Sequence, residues 1–180
     1  DLRLRDLPVL LAAASDGDDV LACFVLDPRL EASSGPRRMQ YLSDSLRQLR
    51  DDLDGRLLVT RGRPEERIPL IANDVSARAV HVSDDFAPFG RRRDELVRAA
   101  LGEVPLVATG SPYLVSPGRV MKDDDTPYKV FTPFFARWRE HGWRAPARSG
   151  RESARWLDPA DISKRAAEPA AIPDPGAKLD

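Results

Sequence analysis

The sequence predicts an α/β fold: a doubly wound, Rossmann-like parallel sheet of five strands flanked by helices. Three observations support this prediction. Short apolar runs recur along the chain, amphipathic helical patterns separate them, and proline or glycine marks the start or end of most helical patterns. Strands that alternate with helices at this spacing form parallel sheets, because each right-handed crossover is long enough to hold a helix.

The first elements are a helix and a buried strand. Asp6 is a plausible N-cap, and Pro8 lies in the first turn of a helix that we expect to extend to about Ser15. Val20–Leu26 is a continuous apolar run, typical of a strand that is buried on both faces. A loop is expected over Glu31–Pro36, where small residues are frequent.

The clearest helix begins near Pro36 and ends before Gly55. Its apolar residues recur every three or four positions and therefore share one face: Met39, Leu42, Leu46, Leu49 and Leu53. Leu57–Val59 is predicted to be the next strand, and Glu65–Val75 the next helix.

One stretch, Ala79–Leu101, combines a strand, a loop and a helix. The helix can begin at Pro88. We expect its apolar side chains to face the core: Phe89, Leu96, Val97, Ala100 and Leu101. Ligands bind beyond the carboxyl ends of the strands in parallel sheets. The loop residues Asp84, Asp85 and Phe86 are therefore the first candidates for a binding site.

The remaining elements are less regular. Pro105–Thr109 is a further predicted strand, and Ser111–Tyr128 is rich in turn residues, with room for a small hairpin. Phe131–Trp138 is predicted to begin a helix, with Thr132 as its cap and Pro133 just inside.

The domain organisation follows from two compositional features. From about residue 144 the chain is rich in proline and alanine, which predicts an α/β domain over residues 1–143 and an interdomain linker or wrapping segment over residues 144–180. The first helix also begins without a preceding strand. Because the first strand is central in a doubly wound sheet, we expect this strand to precede residue 1 in a longer protein.

The composition of the chain and the motifs that it lacks argue against several classes of function. The 28 basic and 29 acidic residues give a net charge of −1, which disfavours binding to a nucleic-acid backbone by charge alone. One cysteine and two histidines provide no disulfide and no metal-ligand spacing, so we predict no metal site. No glycine-rich phosphate loop and no transmembrane run is present. The single cysteine fits a reducing compartment, and we expect a cytoplasmic protein.

Three consecutive arginines, Arg91–Arg93, follow Pro88. Positive charge at a helix N-terminus opposes the helix dipole. A carboxylate neighbour such as Asp85, an anionic ligand or simple solvation would each offset this cost. Pairing within the domain is favoured over a role in DNA binding.

Six short motifs occur in a fixed order along residues 1–140. They are Asp1–Leu4 with Asp6, Phe24–Pro28, Gly35–Arg38, Arg61–Glu65, Phe86–Asp94 and Tyr128–Phe134. In this order and spacing they resemble the N-terminal α/β domain of the DNA photolyase and cryptochrome family. In that family a strand precedes the first motif, which corresponds to the strand that we expect before residue 1.

The resemblance implies a light-harvesting function. In this family the N-terminal domain holds an antenna chromophore, and the helical C-terminal domain holds FAD, binds damaged DNA and performs repair. The expected function is the antenna domain of a deoxyribodipyrimidine photolyase, a carbon–carbon lyase that uses blue light to repair pyrimidine dimers. We expect no catalytic residue in this chain, no activity of the domain alone, a monomer and no membrane partner. The alternatives are a cryptochrome photoreceptor and a stand-alone nucleotide-binding α/β module.

The resemblance also implies a set of chromophore contacts. Deazaflavin-type relatives place them at the carboxyl ends of the strands. The matching positions here, with the neighbouring aromatic residue, are Arg3, the backbone of Val25, Leu26 and Asp27, and the side chains of Arg38, Asp85 and Phe86. Folate-type relatives have a glutamate where this chain has Gly90. The resemblance therefore favours 8-hydroxy-5-deazaflavin, or an empty antenna site, over methenyltetrahydrofolate.

Overall fold

The computed structural model describes residues 2–16, 19–148 and 154–176. In chain order its helices are α1 (Pro8–Asp16), α2 (Pro28–Ser33), α3 (Pro36–Asp52), α4 (Pro64–Asp74), α5 (Pro88–Leu101), α6 (Phe131–His141) and α7 (Lys164–Ala167). Its strands are β1 (Asp19–Val20), β2 (Ala22–Leu26), β3 (Leu57–Arg61), β4 (Val80–Val82), β5 (Leu106–Ala108) and β6 (Arg155–Trp156). A short 3₁₀ helix spans Pro159–Asp161.

The strands pair in parallel, as an α/β fold requires. β2 pairs with β3, with Phe24 opposite Val59, and β4 pairs with β5, with His81 opposite Val107. In the described part of the chain these are separate two-stranded sheets. In a doubly wound sheet the two pairs lie on either side of the central strand.

The largest core cluster lies between α3 and the β2–β3 pair. Its fully buried members are Leu26, Leu46, Leu49, Leu53, Leu57 and Val59. Leu46, in the middle of the stripe predicted for this helix, has no exposed surface at all. Burying one leucine side chain stabilises a fold by about 1.5–3 kcal/mol. The periodic leucines therefore explain both why α3 forms here and where it packs.

Residues 154–176 pack on the domain. Residues 154–176, which we call the strap, pass along the outer edge of β3, where the Ala170 N–H donates to the Val59 carbonyl at 2.8 Å. Ile162 and Ala166 of the strap join a core cluster with Leu58. β6 of the strap also pairs in parallel with β1. Of the two interpretations left open for this segment, residues 154–176 act as a wrapping segment. The domain boundary near residue 143 stays a prediction.

Asp6 is not the N-cap predicted for the first helix. It has a left-handed φ of 51°, and α1 begins two residues later at Pro8. The Asp6 carboxylate instead accepts hydrogen bonds from the Ala147 backbone N–H at 2.8 Å and the Arg144 guanidinium at 2.6 Å. These bonds lower the pKa of Asp6. Asp6 therefore fastens the start of the chain to the segment that follows α6.

Four local predictions were wrong in detail. The expected Val20–Leu26 strand is interrupted at Leu21 into β1 and β2, and its residues are mostly half-buried. The loop expected over Glu31–Pro36 is shorter, because α2 extends to Ser33. Residues 111–128 form turns without a hairpin. The N-cap of α6 is Val130, not Thr132.

The inward face of α5 is narrower than the sequence predicts. Val97 and Leu101 are buried, as expected. Ala100 is exposed, while Phe89 is 44% and Leu96 is 38% exposed. The buried pair lies four residues apart and packs with Ala72 of α4 and Leu106 of β5. A single line of contact along α5 thus replaces the broad apolar face that was expected.

Candidate functional site

At the carboxyl edge of the strands, strand ends lead directly into helices. β2 ends at Leu26 and α2 begins at Pro28, and β3 ends at Arg61 and α4 begins at Pro64. β4 ends at Val82, and its loop leads into α5. Each of these helices begins with a proline, whose fixed φ suits a first turn. The positive ends of the α4 and α5 dipoles therefore lie at the edge where the candidate residues are found.

Asp27 is a buried carboxylate at the end of β2. It is 5% exposed, and Oδ1 caps α2 by accepting the Arg29 backbone N–H at 2.9 Å. The Arg29 side chain then binds both carboxylate oxygens, with Nε at 2.9 and 3.0 Å and Nη2 at 2.5 Å from Oδ2. These bonds from Arg29 lower the pKa of Asp27. Asp27 is therefore charged at neutral pH and fully occupied by its neighbour.

Arg29 joins three elements at this edge, and the sequence analysis missed it. Besides Asp27, it donates to both carboxylate oxygens of Glu65 on α4 at 3.2 and 3.3 Å. Its guanidinium also lies 5.7 Å from the ring centroid of Phe89 on α5, within cation–π range. An aspartate N-cap followed two residues later by arginine was the available signal. Arg29 fixes the end of β2 against the starts of α4 and α5.

Asp85 lies over the first turn of α5. Its Oδ1 accepts the Ala87 backbone N–H at 3.0 Å, and its Oδ2 lies 3.6 Å from Nη2 of Arg93. Arg93 also pairs with Asp94 at 2.7 Å. Of the interpretations left open for the arginine triplet, a carboxylate neighbour is therefore the one observed for Arg93. The Asp85 side chain remains 36% exposed and so is accessible to a ligand.

The Phe86 ring contacts one aromatic ring and one guanidinium group. It packs edge to face with Tyr113, with centroids 6.1 Å apart, and Arg91 lies 5.8 Å from its ring centroid. A cleft of about 120 Å³ lies beside this loop, between the ends of β4 and β5 and the charged face of α5. Ligand pockets have volumes of roughly 300–1,000 Å³. This cleft is therefore too small to hold a tricyclic ring by itself.

The other predicted contacts lie around the same edge with different roles. The Leu26 side chain belongs to the core, and its carbonyl accepts the Gly62 N–H at 3.0 Å. Val25 is half-buried in β2. Arg3 is exposed and lies 4.0 Å from Asp6. Asp27, Asp85 and Phe86 thus make hydrogen bonds or ring contacts with neighbouring residues. That all seven predicted residues bind one chromophore stays a prediction.

Three polar side chains, on the Asp85 loop and on α3, have hydrogen-bonding groups that bear on the predicted site. Asp85 offers a half-exposed acceptor, and the exposed Arg38 guanidinium on α3 has no ion pair among the described residues. Two residues further along α3, Gln40 Oε1 is buried and receives no hydrogen bond within residues 2–16, 19–148 and 154–176. Buried acceptors are normally satisfied. A ring N–H would suit the Asp85 acceptor and a ring oxygen would suit the Arg38 guanidinium, and their contact with one common ligand stays a prediction.

Other forms of chemistry find little support. Burial raises the pKa of the Cys23 thiol to about 12, so this cysteine is an unreactive apolar group. In the described part of the chain no group of three or more histidine, cysteine, aspartate or glutamate side chains is placed to hold a metal ion. None of the helices described is both long and apolar enough to cross a bilayer.

The fold and its carboxyl edge define a class of protein: a doubly wound α/β domain that offers a ligand edge beyond its parallel strands. A model of the family described as DNA photolyase matches residues 1–151. The chain therefore belongs to the DNA photolyase family, whose relatives and structural neighbours include cryptochromes.

The relatives are photolyases of greater length. The deoxyribodipyrimidine photo-lyase of Synechococcus sp. is 34% identical over 146 residues, which cover 77% of this chain and 30% of that protein. The deoxyribodipyrimidine photo-lyase of Thermus thermophilus is 38% identical over 141 residues, which cover 77% of this chain and 32% of that protein. The chain thus spans about a third of the length of these relatives.

Two solved structures share the fold. The cryptochrome of Synechocystis sp. superposes with a TM-score of 0.78 and 23% identity, covering 88% of this chain and 35% of that one. An archaeal photolyase from Sulfolobus tokodaii superposes with a TM-score of 0.77 and 25% identity, covering 91% and 37%. The latter structure is described as containing two FAD molecules and as implying a novel light-harvesting cofactor. These likenesses confirm the predicted Rossmann-like α/β fold.

Proposed function

We propose that this chain is the N-terminal light-harvesting domain of a deoxyribodipyrimidine photolyase. The observation that carries the proposal is the half-exposed Asp85 carboxylate, held over the first turn of α5 at the carboxyl end of a parallel strand. Family membership and the photo-lyase relatives give this ligand edge its context. In the whole protein, FAD, DNA binding and repair belong to a helical C-terminal domain, so the present domain alone is inactive.

The residues of this edge divide into ligand contacts and supports. Asp85 accepts a ring N–H of the chromophore, and Arg38 donates to a ring oxygen. Arg29, Asp27 and Glu65 form a fixed ionic support between β2 and α4. A chromophore held by these residues would supply light absorption for energy transfer to the FAD of the C-terminal domain.

The chromophore that we propose is 8-hydroxy-5-deazaflavin, in preference to methenyltetrahydrofolate. Gly90 carries no side chain, so α5 supplies no carboxylate at this position. Asp85 is then the acceptor nearest to the helix start. The Sulfolobus tokodaii structure adds a second FAD as another antenna to test for.

The absorption spectrum of the full-length protein as purified tests this proposal. We expect a near-visible band beyond that of the flavin, and mass spectrometry of the released chromophore separates deazaflavin, folate and a second flavin. A full-length protein that binds no flavin would refute the photolyase assignment.

Asp85→Ala tests the site within the same protein. We expect lower antenna occupancy and unchanged repair when the FAD is excited directly. Asp51→Ala is the control, because Asp51 is an exposed aspartate near the end of α3 and does not line the cleft beside Asp85. Equal occupancy in the two variants would remove Asp85 from the site.

A cryptochrome photoreceptor is the second candidate. Cryptochrome-1 of Drosophila melanogaster is 33% identical, but only over 114 residues, or 57% of this chain. The longer matches to photolyases favour repair. Light-dependent reversal of pyrimidine dimers by the full-length protein distinguishes the two. We also propose that the protein is cytoplasmic and that it is a monomer. Sedimentation of the full-length protein would test the monomeric state.

A further inference from the structure

We infer that Gly90 is the positioning residue for the Asp85 carboxylate. The ligand class that we assign to Asp85, a heteroaromatic ring with an N–H donor, rests on the proposed function. The coupling between the two residues rests on geometry alone.

The first step is a steric one. A Cβ added at Gly90 would lie 1.9 Å from Oδ2, 2.1 Å from Cγ and 2.7 Å from Cβ of Asp85. Cβ atoms in proteins essentially never approach other heavy atoms closer than 3.0 Å. Rotation of the Asp85 side chain would relieve the contacts to Oδ2 and Cγ, but the Cβ is fixed to the backbone. Any side chain at position 90 must therefore displace the loop itself.

The second step excludes a backbone reason for the glycine. Gly90 lies inside α5 and is not among the residues with positive φ. Alanine is favoured over glycine in a helix. The local conformation thus gives no preference for glycine, and the space taken by Asp85 is the feature that requires it.

The third step concerns what holds Asp85 in that space. Its Oδ1 accepts the Ala87 N–H at 3.0 Å, and its Oδ2 lies 3.6 Å from Arg93. The first turn of α5 contains no acidic residue of its own. Asp85 therefore places negative charge where the helix dipole and Arg91–Arg93 favour it. Because Gly90 has no side chain, the Asp85 carboxylate fits against α5 at this position. The carboxylate is thereby held in place as an acceptor for the ligand.

A double-mutant cycle in the full-length protein tests the coupling. In the Asp85 background, Gly90→Ala should lower Tm by about 2–10 °C, because it forces an overpacked contact. In the Asp85→Gly background the clashing Cβ is gone, and Gly90→Ala should raise Tm by about 2–4 °C. Gly35→Ala is the control, because Gly35 has open space around its Cβ position and should respond equally in both backgrounds. The same effect of Gly90→Ala in both backgrounds would overturn the inference.

Chromophore occupancy is the second readout. Gly90→Ala should weaken antenna binding about fivefold, the loss of roughly one hydrogen bond, and should add nothing once Asp85 has been replaced. Normal antenna binding by folded Gly90→Ala would overturn the positioning role. If the wild-type protein carries no antenna, the proposed function fails, while the stability cycle still decides whether Gly90 and Asp85 are coupled.

Discussion

The two strand pairs differ in how firmly they are built. β2 and β3 match over five residues, and the first four residues of β3 are buried. β4 and β5 match over only three residues, and every residue of β4 is half-buried. The first pair is covered by the seventeen-residue α3 and the strap, and the second pair carries the Asp85 loop. The more deeply buried pair supplies most of the core, and the less buried pair carries the Asp85 carboxylate, in keeping with the lower local stability of ligand-binding loops.

Leu46→Ala should produce the largest loss of stability, because Leu46 packs in the half of the domain built on the β2–β3 pair. The side chain is completely buried, so its truncation leaves a cavity that costs about 2–5 kcal/mol. Leu30→Ala is the matched control, because Leu30 is 46% exposed and should cost under about 1 kcal/mol. Urea denaturation measures both values. Similar losses for the two leucines would contradict the packing of α3.

Arg29→Met should cost about 1–3 kcal/mol at neutral pH, because it leaves the buried Asp27 carboxylate without its partner. Arg29 lowers the pKa of Asp27 in the folded state. This contribution is present above the unfolded-state pKa of about 3.9 and is lost as pH falls through the folded-state pKa.

The pH dependence separates charge from packing in that variant. The stability difference between wild type and Arg29→Met should therefore be largest near pH 7 and should shrink below about pH 4. Glu65→Gln serves as the control, because it removes the weaker partner of Arg29 and keeps the Asp27 pair. A difference that stayed constant from pH 7 to pH 3 would argue that Arg29 acts through packing alone.

Thr60→Val should lower the free energy of unfolding by about 1–2 kcal/mol. This variant tests whether the strap stabilises the domain. Thr60 is fully buried, and its hydroxyl donates to the Glu168 carbonyl at 3.1 Å. Valine keeps the shape and leaves that carbonyl without its donor, whereas Thr60→Ser keeps the hydroxyl and should retain more stability. Hydrogen exchange of the Ala170 amide reports the same loosening, and unchanged protection in Thr60→Val would count against this contact.

Leu96→Ala should have the smallest effect, under about 1 kcal/mol. Leu96 lies on α5, in the half of the domain built on the β4–β5 pair. It is 38% exposed, although its spacing predicts a core position. Its neighbour Val97 is buried, and Val97→Ala should cost about 1–3 kcal/mol. Thermal denaturation of the two variants tests the narrow inward face of α5. A larger loss for Leu96→Ala would restore the broad face that the sequence predicts.

Elements fixed by local patterns were predictable, and those fixed by distant partners were not. The leucine stripe of α3 and the apolar run of β3 carry their own periodicity, so both were confirmed. Asp6 resembles an N-cap locally, but it binds Arg144 far along the chain. The tail contains few large apolar side chains, and its burial depends on contacts such as that of Ile162 with Leu58.

The candidate site divides in the same way. The topological rule for parallel sheets predicts the Asp85 loop from the sequence, because the loop follows the carboxyl end of a strand. Arg29 escaped notice because its importance depends on Glu65 and Phe89, which belong to other elements. The approach of Gly90 to Asp85 is likewise a three-dimensional fact that residue spacing does not reveal.

The strap also guards the protein against self-association. The outer edge of β3 presents backbone groups that could pair with a strand of another molecule, a known route to aggregation. Residues 169–170 occupy that edge through the bridge to Thr60 and the bond to Val59. A fragment cut at residue 143, where composition alone suggests a boundary, would uncover this edge together with the apolar side chain of Leu58. Such a fragment would precipitate more readily than the whole chain, and fragments made for crystallisation should extend to at least residue 176.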